Sequence, residues 1–104
     1  MYQKTQQALQ NLQKVMQQQG LWQSQAPDEQ AFLSEQPFAL DTMTPTEWLQ
    51  WIFIPRMFAL IDAGATLPTQ ISISPYLEEA LKEEVYLAEL LMAIQTIENL
   101  LQEK

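Results

Sequence analysis

Apolar residues recur at spacings of three and four over three long runs of this sequence, and the rhythm lapses in two intervening stretches. This pattern predicts helices joined by irregular connections. In the first run, Tyr2, Ala8, Leu9, Leu12, Val15 and Met16 share one side of a helical projection over residues 2–19, opposite glutamines, Lys4, Asn11 and Lys14. That is an amphipathic helix with a solvated, glutamine-rich face. Gly20 supplies its stop. The apolar Leu21 and Trp22 are placed to fold back on the last turn, with Trp22 in the core.

The central run lies between Thr44 and Gly64. Thr44, Pro45 and Glu47 spell a capping box with proline at the first helical position, and Met43 and Trp48 are spaced for a hydrophobic staple across the cap. Trp48, Leu49, Trp51, Ile52, Phe53, Ile54, Met57, Phe58, Leu60 and Ile61 then leave no wide polar face, so the helix is expected to be enveloped by the terminal helices. Pro55 removes one hydrogen bond and crowds the carbonyl of Trp51, at about 3 kcal/mol. Burial of large apolar side chains, at about 1.5 to 3 kcal/mol each, outweighs that cost and predicts a kinked helix. Gly64 ends it.

Residues 24–36 are polar, and the stretch from Pro27 to Leu33 predicts a short helix or turn. Phe32, Leu33, Phe38 and Leu40 are expected to anchor this long connection. After Gly64 the alternation of Ile71 and Ile73 with serines resembles a strand without a pairing partner, so it predicts an extended loop with Leu67, Ile71 and Ile73 turned inward. Ser74 is then placed to cap a helix begun by Pro75. From Tyr76 the helical period runs almost to the C-terminus, and Lys82-Glu83-Glu84 sets charge in its stripe. A short helix at 75–81 and a long one over 84–102 are favoured; one continuous helix is the alternative, as no proline or glycine breaks the run. The fold class is all-α: a bundle-like domain of four to five helices, residues 1–104, around a central, proline-kinked apolar helix.

Pro37-Phe38, Asp41-Thr42-Met43, Glu47-Trp48-Leu49-Gln50-Trp51 and Ile54-Pro55-Arg56-Met57, supported by Leu67-Pro68 and Ser74-Pro75-Tyr76, resemble the signature of the YqcC-like family. The resemblance implies an all-helical domain of small bacterial proteins, often encoded beside a tRNA pseudouridine synthase, and hence an accessory role to that enzyme. It supplies no catalytic motif.

The 13 acidic and 5 basic residues leave a net charge of −8, which disfavours direct RNA binding because such binding rests on Lys and Arg displacing counterions. An acidic protein still suits docking on a basic protein surface. With no cysteine and no histidine, the sequence lacks thiolate chemistry, disulfides and the commonest general base. The two glycines, Gly20 and Gly64, cannot build a phosphate-cradling loop. Glu78-Glu79 and Glu83-Glu84 read as a solvated helix face rather than a cation site, and no cofactor is expected. No signal-peptide or membrane-spanning run is present in the sequence, so the protein is expected in the cytoplasm.

The expected function is therefore a non-enzymatic, protein-binding module, with Asp41, Thr42, Gln50, Trp51, Pro55 and Arg56 as signature or partner-binding residues. Trp51 and Arg56 are of the types that most often dominate interfaces. Asp41 is a possible ion-pair partner for Arg56. Direct tRNA binding and a small apolar ligand beside Pro55 are the alternatives, and a homo-oligomer is open because a second copy can also cover an apolar helix.

Overall fold

The computed structural model describes residues 2–69 and 71–102. Five α-helical segments follow one another: α1 (Tyr2–Gln18), α2 (Pro45–Trp48), α3 (Ile54–Asp62), α4 (Ser74–Ala80) and α5 (Leu87–Gln102). A π turn, Leu49–Phe53, joins α2 to α3 without a gap, so these three form one helix from 45 to 62. Among the described residues there is no strand.

The first and last helices form the spine. Leu9, Leu12 and Met16 on α1 face Leu90, Ile94, Ile97 and Leu101 on α5, all fully buried or nearly so, and this is the most extensive helix pairing in the molecule. Gln19 Nε2 donates to Glu89 across the same pair. α1 ends as its glycine dictates: Gly20 has a φ of +74°, its N–H reaches the Gln17 carbonyl at 3.2 Å, and the Leu21 N–H reaches the Met16 carbonyl at 2.8 Å. Those two bonds satisfy carbonyls that the helix itself leaves open. Gly64 repeats the arrangement after α3, with φ +66° and an Ala65 N–H bond to the Leu60 carbonyl of 2.9 Å.

The central helix starts at the expected capping box. The Thr44 N–H donates to Glu47 Oε1 at 2.9 Å and the Glu47 N–H to Thr44 Oγ1 at 3.3 Å. The disturbance expected at Pro55 takes the form of the π turn, in which the Ile54 N–H bonds the Leu49 carbonyl five residues back. Proline has no N–H to give and its ring crowds the preceding turn, so the wider turn accommodates it. The helix is not enveloped. Leu49, Phe53, Ile54 and Met57 enter the core, Trp51, Ile52, Phe58, Leu60 and Ile61 are half-buried, and Pro55, Arg56, Ala59 and Asp62 face solvent. α1 covers one side of it, while α5 packs chiefly on α1 and α4.

Two connections differ from expectation. Phe32, Leu33 and Leu40 do not anchor the long loop: all three are exposed, Leu33 to 76%. The chain there forms two short 3₁₀ turns, Glu29–Leu33 and Pro37–Ala39, and polar bonds secure it, Thr42 Oγ1 donating to the Ala31 carbonyl at 2.8 Å. The second difference is at the start of α4. Ser74 does not cap the helix with its own oxygen; its hydroxyl donates to Glu98 Oε1 at 2.7 Å. Glu98 of α5, only 8% exposed, also accepts from the Ile73 N–H at 2.6 Å and the Ser74 N–H at 2.8 Å. A buried carboxylate from another helix thus meets the unsatisfied donors at a helix N-terminus, where negative charge is favoured.

The return loop carries Leu67 and Ile73 inward as expected, with Ile71 half-buried. The C-terminal run divides into two helices. Leu81, buried, leaves helical geometry at φ −117° and ψ 23°, the Glu84 N–H bonds the Leu81 carbonyl at 2.9 Å, and α5 starts at Leu87, later than position 84. No helix of the described residues is long and apolar enough to cross a membrane.

Candidate functional site

The signature residues of the central helix fall into a polar clamp and an aromatic wall. Gln23 is the hub of the clamp. Its backbone N–H donates to Gln50 Oε1 and its carbonyl accepts from Gln50 Nε2, both at 2.8 Å. Its side-chain oxygen accepts from Trp51 Nε1 at 2.8 Å and its amide nitrogen donates to Glu47 Oε2 at 3.1 Å. One glutamine just beyond α1 thus joins three residues of the central helix. Gln50 is 4% exposed, so its amide substitutes for backbone pairing that the connection after α1 lacks. The Thr44 backbone N–H, the largest cause, together with Gln23 and the Thr44 hydroxyl, holds the Glu47 carboxyl below its ordinary pKa, against a smaller opposing effect of partial desolvation.

On another side of the helix, aromatic rings form a continuous series. Tyr76 stacks on Phe38 with centroids 4.3 Å apart, Phe38 meets Trp48 edge-on at 5.0 Å, and Trp48 stacks on Phe53 at 5.5 Å. The last contact depends on the π turn. Residues five apart on an α-helix are separated by about 140° of rotation, because each residue advances about 100°. Widening one turn brings Trp48 and Phe53 towards the same side. Phe38 reaches its place through an unusual backbone: Phe38 and Ala39 have φ of +59° and +49° without being glycine. Each such residue costs about 1 to 2 kcal/mol. Bonds from the Thr42 and Met43 N–H groups to the Ala39 carbonyl, at 3.0 and 2.9 Å, hold the turn closed.

A cavity of about 560 Å³ opens between this wall and the return loop after Gly64. Phe38, Trp48, Phe53, Met57 and Ile73 line it, and Arg56 is the charged residue on its edge.

Of the residues singled out by sequence, the structure gathers Gln50 and Trp51 into the clamp and sets Pro55 and Arg56 on the open face. Gln50 is buried rather than displayed at a polar edge. Asp41 and Arg56 do not pair: Asp41 accepts from the Ser34 hydroxyl, and the ion pair among the described residues is Lys82–Glu79 at 3.3 Å. Thr42 secures the preceding loop. Gln23, Glu98 and the geometry of Phe38 were not singled out by the sequence. Gln23 is one glutamine among many, and only its position behind the Gly20 stop hints at a role. Among the described residues no three acidic, histidine or cysteine side chains are grouped to hold a metal.

Fold and site together define a small all-α protein built on a π-interrupted helix with an aromatic cavity at its side. The chain belongs to the YqcC-like family: the DUF446 family, described as "tRNA pseudouridine synthase C", matches residues 4–100. It is 54% identical over 96 residues to an uncharacterized protein of Haemophilus influenzae, covering 92% of this chain and 91% of that protein. It is 44% identical over 73 residues to the uncharacterized protein YqcC of Escherichia coli, covering 70% of this chain and 67% of that one. The solution structure of E. coli YqcC superposes with a TM-score of 0.88 at 34% identity, covering 98% of this chain and 88% of that one. A protein of Pectobacterium carotovorum named tRNA pseudouridine synthase C matches at 48% identity over 62 residues, which are 60% of this chain but 16% of that protein.

Proposed function

We propose that this protein is a cytoplasmic, non-enzymatic module that docks on a tRNA pseudouridine synthase. The observation that carries the reading is the unequal size of its relatives. The related region is 91% of the H. influenzae protein, yet 16% of the Pectobacterium protein that bears the synthase name. The unit is thus nearly a whole protein in one bacterium, while 60% of it recurs within a much longer chain in another. Joining two partners in one chain raises their effective concentration, so a docking surface that must find its partner in solution is replaced by a tether.

Charge supports a protein partner over direct tRNA binding. A net charge of −8 repels phosphate, whereas an enzyme that holds tRNA needs a basic surface. Glu78 and Glu79 at the end of α4, Glu83 and Glu84 in the link after it and Glu89 in the first turn of α5 are all exposed, with Lys82 paired to Glu79 among them, and form the docking face in this reading. Complementary charge of this kind acts chiefly on the association rate.

Co-purification from extract, with and without nuclease, tests the proposal. The synthase is expected in both arms, with recovery falling as salt rises, and lysine at Glu78, Glu79, Glu83 and Glu84 should slow association about tenfold or more. Recovery that disappears with nuclease transfers the case to RNA-mediated contact. Recovery in neither arm overturns docking.

A further inference from the structure

We infer that the cavity beside the π turn binds a small organic acid, a molecule with an aryl or alkyl body and a single negative charge. The inference is independent of the synthase partner, since it concerns the purified protein alone. A volume of about 560 Å³ lies within the usual range for small-ligand sites, which combine apolar walls with few polar groups that set orientation.

The walls are built rather than left over. Phe38, Trp48 and Phe53 are each held by a neighbouring ring, and Tyr76 backs Phe38 from behind. Two departures from regular backbone create this surface: the π turn that aligns Trp48 with Phe53, and the left-handed pair Phe38 and Ala39 that presents the Phe38 ring. Irregularities of both kinds recur at functional sites, where the surrounding structure over-determines them.

Arg56 gives the ligand its sign. It is the charged residue on the cavity edge, it is exposed, and it forms no ion pair with any described acid, although the chain has 13 acids to 5 bases. A guanidinium presents a planar fork that suits a carboxylate. One cation in a molecule of net charge −8 favours a monoanion over a nucleotide or other polyanion, for which each added charge meets repulsion without a second partner.

Paired probes of one shape separate these contributions. In titrations followed by NMR and calorimetry, 2-naphthoate is expected to shift the Trp48 indole N–H and the Phe38 ring signals, and neutral 2-naphthol to bind about tenfold more weakly. Arg56→Ala should abolish that preference while leaving the remaining spectrum intact, because Arg56 is exposed, and Arg56→Lys should restore part of it. Equal affinity for the two probes, shifts centred elsewhere, indifference to Arg56→Ala, or no binding at millimolar probe each overturns the inference.

Discussion

Gln50 shows how a residue that reads as surface chemistry can be structural. Its amide takes both backbone groups of Gln23, so Gln50→Ala leaves a donor and an acceptor unpaired beside the core. We expect a loss of about 1 to 2 kcal/mol in chemical denaturation, since Gln23 is near enough to solvent for water to compensate in part. A variant that weakened partner capture at unchanged stability would instead return Gln50 to the interface. Glu47 yields a prediction with a sign. Its pKa is lowered in the fold, so the stabilisation it contributes is present above the unfolded value of 4.5 and is lost as pH falls through the folded one. The stability difference between wild type and Glu47→Gln should therefore be largest near neutral pH and shrink below about pH 4.5, as read from denaturation curves across that range. A difference that stays constant with pH would show that the carboxylate charge contributes nothing there. The Gln50 effect could not be sized from sequence, because Gln23 is distant from it along the chain, whereas the main cause at Glu47, the Thr44 N–H, lies within the capping box itself.

Among the elements, those with strong local signals formed as expected. The capping box, both glycine stops and the amphipathic α1 are short-range chemistry, fixed within a turn or two of chain. Pro55 likewise announced a disturbance, although its form, a π turn that brings Trp48 onto Phe53, was not legible in the sequence. The start of α4 is different. Serine before proline has the form of a cap, yet the acceptor is Glu98, 24 residues further along, whose carboxylate outcompetes a hydroxyl for backbone donors. Glu98→Ala should cost about 2 to 4 kcal/mol, as it strands two buried N–H groups and a hydroxyl. Glu98→Gln, which keeps an acceptor of the same reach, should cost clearly less. Thermal unfolding of the two variants decides it, and equal losses would remove the capping role.

For the whole molecule, periodicity was enough to set an all-α fold, its helices and most core positions, because each depends on which residues lie three or four apart. The division between α4 and α5 was suggested by the charges of Lys82, Glu83 and Glu84 together with the family resemblance, but not its place, which in the structure falls at the buried Leu81. Envelopment of the central helix was the expectation that failed. Its apolar residues suit a surrounded helix, but α1 and α5 pack chiefly on each other and leave one flank open, where the aromatic wall and the cavity form. The sequence by itself determined the helices, their caps and the sign of the surface charge, all properties of neighbouring residues or of composition. Only the tertiary structure decided that Gln23 clamps the central helix, that Glu98 caps α4, and that Arg56, with no ion pair among the described residues, stands at an aromatic cavity. Those depend on which distant segments meet, and that is settled by packing.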